Sequence, residues 1–288
     1  RAAAAPAELP PDAGRLVGRD VEVAAVRSAV AGDHPTVLMT GPPGIGTTAL
    51  AVHVAHRLRG GFPGGQLYLS AADADGVPLE PAELHRRVSA ALATAGPGPV
   101  LLVLDGVAAA EQVGELPASG PTVLVTSSSR LTGLACTRVE LHQLDLPTAL
   151  RLLAASAPDR LAPHDPATTR IARFCRMLPL ALRAAAARLT AKRHWTAAAL
   201  ADRLADPRRR LAELSAGDLD VGRSVGRAVR AASPAARRAL CRLAVHGVGP
   251  AGAVRAELVE RNLLLPRCDG DRASPFVLDV TRACTATG

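Results

Sequence analysis

At 288 residues, 48% of them hydrophobic but only 2% aromatic, the chain can hold two or three domains around a core of Leu, Val and Ala. Its formal charge of +8 rests on arginines spread along the whole length, with Lys192 the single lysine; that spread and the scarcity of rings argue against direct nucleic-acid binding. Five dispersed cysteines without a Cys-x-x-Cys pair speak against a disulfide framework or zinc site, and no apolar run reaches the 18 or more residues of a membrane span, so a cytoplasmic location is expected.

Residues 1–16 hold three prolines among small residues and read as a linker. Val17 to Asp20 opens a helix running to about Ala31. Thr36 to Thr40 (TVLMT) reads as a buried strand, Thr47 to Arg59 as a helix stopped by Gly60-Gly61. A strand is expected over Gln66 to Ser70, a helix over Pro81 to Ala95, and further strands over Val100 to Asp105, Thr122 to Thr126 and Val139 to Leu144. Strands alternating with helices imply parallel crossover units, and the continuously apolar strands fit a sheet covered on both faces. Beyond this point helical pattern dominates. Asp145 before Leu146-Pro147 and Asp165 before Pro166 mark helix starts, and Ala184 to Ala187 suits close helix contact. From Asp218 the character shifts again: a helix from Ser233-Pro234 to near Gly247, another over Ala251 to Asn262, and a strand over Ser274 to Asp279. The expected layout is an α/β P-loop NTPase-like parallel sheet over 17–144, an all-α helical domain over 145–217 and a shortened winged-helix-like domain over 218–288.

The chemistry sits between the first strand and its helix. Gly41 to Thr48 reads GPPGIGTT, which matches the phosphate-binding pattern at Gly41, Gly46 and Thr48 but carries Thr47 where the pattern has lysine. Gly41, Gly44 and Gly46 let the backbone aim several N–H groups at one anion, and the helix start adds its positive end. Pro43, Gly44, Ile45, Gly46, Thr47, Thr48 and Ala49 are therefore the candidate nucleotide-binding residues. Thr48 and Asp105, the carboxylate closing the apolar strand VLLVLD, are the candidate Mg²⁺ residues. Hydrolysis has weaker support. The residue after Asp105 is Gly106 rather than an acid that polarises water, and no lysine neutralises the transferring phosphate.

Several stretches carry a resemblance: Leu9 to Asp12 with Val17 to Asp20, Thr48 to Arg59, Phe62 to Leu69, Leu101 to Asp105, Thr122 to Arg130, Leu178 to Leu189 and Leu211 to Asp218. With them the chain resembles the NB-ARC family of nucleotide switches, most closely the version in actinobacterial SARP-type transcriptional regulators. The resemblance implies a P-loop domain, a helical domain and a winged helix closing over ADP. Val17 and Arg19 match the adenine-cupping segment, Pro179 the proline that packs on the nucleotide, and Asp279 the aspartate of a His-Asp pair. The matching histidine position holds Leu278, and the sensor arginine position holds Ser128, with Arg130 two residues on. Three phosphate-sensing positions are thus altered while the apolar framework is kept. The resulting expectation is a regulatory module that binds ADP or ATP weakly, with optional Mg²⁺ and little or no hydrolysis. It would sit among the other domains of a larger regulator and form a homo-oligomer on activation. The alternatives are an ATPase that uses an arginine for the missing lysine, and a DNA-binding winged-helix protein.

Overall fold

The computed structural model describes residues 8–12, 14, 16–32, 34–114, 120–265, 272–273, 276–277, 279 and 281. The chain divides into two compact units, Arg1–Gly41 with Gly46–Leu141, and Pro42–Ile45 with His142–Gly288.

The first unit is built on five parallel strands, β1 (Thr36–Thr40), β2 (Gly65–Ser70), β3 (Val100–Asp105), β4 (Thr122–Ser127) and β5 (Thr137–Glu140), in the spatial order β2-β3-β4-β1-β5. Three helices join them: α1 (Asp20–Val30), α2 (Thr47–Arg57) and α3 (Pro81–Leu92). Side chains alternate across the pleat. Leu38, Leu102, Leu104, Val123 and Val125 turn to one side, where Leu84 and Val88 of α3 pack on them. Their neighbours Val37, Met39, Leu101, Val103 and Leu124 are equally inaccessible to water on the other side. Both faces are covered, which is why these strands read as unbroken apolar runs. β1 lies between β4 and β5; from β1 the chain runs out to β2 on one side, and from β4 it crosses to β5 on the other. A crevice outside the carboxyl ends of the strands is where such sheets receive ligands.

Residues 8–12 of the expected linker lie against this unit. The Glu8 amide donates to the Gln66 carbonyl at 3.1 Å, and His56 Nε2 donates to the Pro10 carbonyl at 2.8 Å. The Asp12 carboxylate sits 3.0 Å from Nδ1 of buried His53. Burial works against an ionised Asp12, but the hydrogen bonds from His53 and the Gly14 amide hold its carboxyl below the usual carboxylate range.

The second unit is helical: α4 (Leu146–Ser156), α5 (Pro166–Phe174), α6 (Pro179–Ala191), α7 (Ala197–Ala205), α8 (Pro207–Glu213), α9 (Val221–Arg230), α10 (Pro234–His246) and α11 (Gly252–Glu260). The start signals read from sequence are real caps. Asp145 accepts from the Thr148 amide, Asp165 from the Ala167 amide and Ser233 from the Ala236 amide. Gly247, at φ 69°, ends α10 in the left-handed region. Ala184, Ala185 and Ala186 are fully buried in α6, the helix at the centre of α4, α5, α7 and α8. Two short hairpins complete the unit, β6 (Ser215–Ala216) with β7 (Leu219–Asp220), and β8 (Leu264–Leu265) with β9 (Arg272–Ala273). Among the described residues no helix is long and apolar enough to cross a membrane.

Two expectations need correction. The strand read over Val139 to Leu144 is instead Thr137–Glu140. Its last link to β1 is the Leu141 amide donating to the Thr40 carbonyl at 2.7 Å, after which the chain leaves the sheet for the Asp145 cap. The strand read over Ser274 to Asp279 is helical wherever described, at Phe276, Val277, Asp279 and Thr281. The Thr281 hydroxyl donates to the Val277 carbonyl four residues back, a bond that only a helical turn offers.

Asp279 is buried and accepts from Arg210 Nη1 at 2.9 Å. Arg210 also donates from Nε to the Leu204 carbonyl, tying α8 to the last helical turn. Breaking a buried pair strands a charge, whereas replacing both partners by apolar groups removes the desolvation cost. Arg210→Ala is therefore expected to cost about 3–5 kcal/mol, read as a fall in the urea midpoint. The double variant Arg210→Met/Asp279→Leu should recover more than half of that loss.

Candidate functional site

The loop after β1 has a backbone shape that side chains alone do not dictate. Gly44 and Gly46 stand at φ 82° and 99°, a region closed to most L-residues. The Ile45 amide donates to the Pro42 carbonyl at 3.0 Å, and the Ile45 side chain is buried, which anchors the turn. Gly46 precedes α2 as its cap residue without a side-chain acceptor, so the first amides of α2, at Thr47, Thr48 and Ala49, meet no capping side chain. A helix start of this kind receives an anion through oriented N–H groups and the helix dipole.

The tip of the loop, Pro42–Ile45, belongs with the second unit, while Gly41 and Gly46 belong with the first. Within the second unit the Gly44 carbonyl accepts from the Leu180 amide at 3.2 Å. Leu180 follows Pro179 in the first turn of α6, where amides lack partners inside the helix. A Cβ at Gly44 would meet Leu180 Cβ at 3.2 Å and Cδ2 at 3.3 Å, while one at Gly46 meets nothing within 4 Å. Lys192 caps the far end of α6, exposed and about 18 Å along the axis from Leu180.

Three hydroxyls converge on Asp105. Thr48 Oγ1 and Thr126 Oγ1 each donate to Asp105 Oδ1 at 2.6 Å, and Thr126 Oγ1 accepts from the Gly106 amide at 3.0 Å. The third is Tyr68 on β2, two residues before Ser70, the register partner of Asp105. Burial and the adjacent Asp105 carboxylate push the Tyr68 phenol well above its ordinary range. Thr48 and Asp105 offer hard oxygens at the mouth of the loop, the donor chemistry Mg²⁺ takes when it accompanies a phosphate, so these residues fit the ion. Behind Asp105 the chain turns at Gly106, φ 77°, and the next acid, Glu111, is exposed in a short 3-10 turn.

The remaining expected residues fall as follows. Half-buried Val17 and buried Arg19 precede α1; Arg19 donates to Glu22 at 2.6 Å. Arg130 follows β4, with its guanidinium 3.9 Å from Glu140 and a buried Nε that has no hydrogen-bond partner. Asp279 pairs with Arg210 as above, and Leu278 lies outside the described residues. Sequence reasoning missed Thr126 and Tyr68 as site residues. The available signal was register: Leu104 pairs with Val125, which puts Thr126 at the level of Asp105 on the next strand.

Tyr68 is the chain's single tyrosine, so its titration reports on this cluster alone. A phenol raised in the fold stabilises the native state below its unfolded value near 10, and that contribution disappears as pH rises through the folded value. Phenolate absorbance is therefore expected to stay absent while the protein is folded above about pH 10, and to appear with the loss of helical signal. Asp105→Asn should bring it down to lower pH. At the loop, Gly44→Ala is expected to lower the melting temperature more than Gly46→Ala. Both meet the left-handed backbone penalty of roughly 1–2 kcal/mol, but only Gly44 also meets Leu180.

No protein-family model matches the chain. The chain is 36% identical over 245 residues to the regulatory protein AfsR of Streptomyces coelicolor, covering 74% of this chain and 25% of the relative. It is 35% identical over 243 residues to AfsR of Streptomyces griseus, again 25% of that protein's length. The chain thus spans about a quarter of the curated relatives it matches. Among solved structures, a Walker-type ATPase of Pyrococcus abyssi superposes with a TM-score of 0.58 at 12% identity, covering 96% of this chain and 99% of that one. This likeness shows the P-loop NTPase fold. The likeness to AfsR over about three quarters of this chain and the P-loop fold support the resemblance to the NB-ARC domain of SARP-type regulators.

Proposed function

We propose that the chain is a regulatory module that holds an adenine nucleotide, ADP in preference to ATP, weakly in the loop Gly41 to Thr48 and turns it over little or not at all. The observation that carries this reading is a backbone cradle without its charge: Gly44 and Gly46 in left-handed geometry and an α2 start without a capping side chain, beside Thr47. Loss of one charge-assisted contact costs roughly 1.5–3 kcal/mol, on the order of ten- to a hundredfold in affinity. The amides lose nothing by it. ATP suffers more than ADP because its γ-phosphate adds charge with no cation to meet it. Mg²⁺ would be held by Thr48 and, through water, by Asp105, where it would offset phosphate charge. Val17 and Arg19 are assigned to the adenine side, Pro179 to packing on the nucleotide, and Arg130 and Asp279 to sensing positions. The helices α9 to α11 with the β8–β9 hairpin are assigned to a shortened winged helix. The setting proposed is the cytoplasm, within a larger regulator, with self-association on activation.

A second reading, hydrolysis with an arginine in place of lysine, draws on Arg130, whose guanidinium is only loosely held near Glu140. Arg19 is less suited, being buried and bound to Glu22.

Calorimetry with ADP is the direct test: no heat and no melting shift at millimolar ADP would remove the nucleotide from the reading. Thr47→Lys should raise ADP affinity on the order of ten- to a hundredfold and leave phosphate release near background, because Gly106 still supplies no group to polarise water. Rapid multiple turnover by the unmodified chain, abolished in Arg130→Ala, would establish the second reading instead.

A further inference from the structure

Arginine grows denser toward the end of the chain, and two stretches there lack acid. In 166–201, Arg170 pairs with Asp202 and Arg188 approaches Glu213. Residues 221–256 hold seven arginines and no Asp or Glu. The structure turns this stretch into α9, α10 and the start of α11, and sorts its arginines outward. On α9 the residues Val221, Val225, Ala228 and Val229 are buried, while Arg223, Arg227 and Arg230 are exposed at i, i+4 and i+7, one stripe of the helix. On α10 the residues Ala236, Ala239, Leu240 and Ala244 are buried, and Arg238 and Arg242 are exposed at i and i+4. Arg237 joins the two helices, its Nη1 donating to the carbonyls of Arg230 at 2.9 Å and Ala232 at 3.1 Å. Among the described residues Arg223, Arg227, Arg238 and Arg242 have no acidic partner. This differs from the basic run Pro207 to Arg210, where Arg209 pairs with Asp206 and Arg210 with Asp279.

The nearest acids in sequence are Asp220, which accepts from the Arg223 amide at 2.7 Å, and Glu257, which accepts from the Ser233 amide at 2.7 Å; both are engaged at helix starts and, among the described residues, neither pairs with a guanidinium of the stripe. We infer that the exposed arginines of α9 and of α10 bind the phosphate backbone of double-stranded DNA. The stripe from Arg223 to Arg230 runs about 10 Å along the helix axis, against a polyanion with one charge per ~1.7 Å of duplex. Residues 221–256 contain no Trp, Tyr or Phe, so the face offers no stacking platform for single strands. The same lack disfavours insertion into a bilayer, which needs large apolar anchors; the exposed Val245 and Val248 are small and lie beyond the stripe. Because the contact is phosphate, duplex RNA is the competing polyanion, and preference for an RNA duplex over the DNA duplex would overturn the proposal. With phosphate as the contact, binding is sequence-independent.

The test is fluorescence anisotropy of a labelled mixed-sequence DNA duplex of about two turns, ~20 base pairs, titrated with the full chain from ~50 to ~200 mM NaCl. Binding is expected to fall with salt at a slope of about 0.9 per phosphate contact. Arg223→Glu/Arg227→Glu and, separately, Arg238→Glu/Arg242→Glu should each lose at least tenfold in affinity and flatten that slope. Arg57→Glu/Arg59→Glu, an equal charge change on exposed residues elsewhere, should stay within about twofold if the effect is local. Circular dichroism confirms that each variant is folded, and two separate pairs keep the test open should one misfold. The proposal is overturned by no binding at low salt, by equal losses in all three double variants, or by preference for a single strand. It is likewise overturned if phosphatidylserine vesicles, but not the duplex, capture the chain.

Discussion

One carboxylate fastens the carboxyl end of the sheet. Asp105 ends β3 and accepts from Thr48 at the start of α2 and from Thr126 on β4, while the Thr126 hydroxyl also takes the Gly106 amide that follows Asp105. The start of α2, the end of β3 and β4 are thereby held at one level. The consequence for the loop is positional. α2 begins where Thr48 is tethered, so the amides at its start are fixed in direction before any anion arrives, and a preset cradle spares the ordering cost that a flexible loop would incur on binding.

The glycines of the loop serve two different ends. Gly46 has open space around its α-carbon, so its requirement is conformational: φ 99° lets the chain pass from loop to helix. Gly44 combines φ 82° with the close approach of Leu180, and its carbonyl takes up an amide that the first turn of α6 would otherwise leave unpaired. The same residue thus shapes the loop and satisfies a helix end. This explains why the tip Pro42–Ile45 groups with the helical unit although its flanks group with the sheet.

Much of this was legible in the sequence, and the reasons are local. Buried parallel strands announce themselves as TVLMT and VLLVLD, and Asp145, Asp165 and Ser233 announce helix starts, because a cap needs only its own three or four residues. Thr48 and Asp105 are read from the sequence as Mg²⁺ residues; that their side chains hydrogen-bond to each other at 2.6 Å comes from the structure. What escaped depends on contacts between distant positions. Thr126 becomes a site residue only through the β3–β4 register, and Tyr68 only through β2–β3. The helical turn at Phe276 to Thr281 was hidden because Phe-Val-Leu-Asp has strand propensity, which tertiary packing of Phe276 and the Arg210–Asp279 pair override. The exposed arginines of α9 and α10 escaped because which cations face water without an acidic partner is decided by packing, not by their count along the chain.

Composition also bears on what happened at position 47. The chain carries its positive charge almost wholly as arginine, with Lys192 alone keeping the ammonium form. If the loop had followed that trend, position 47 would hold arginine and keep its charge. A planar guanidinium is a wide fork of donors, whereas a P-loop receives a slim stem ending in a point charge. Thr47 keeps neither. The cradle is therefore the part of the site that survives such a change, since amides and glycine torsions do not depend on the side chain at position 47. A site with shape but without its cation discriminates by geometry and by the count of phosphate charges it must leave uncompensated, and each added charge makes the bound state less favourable than the hydrated one.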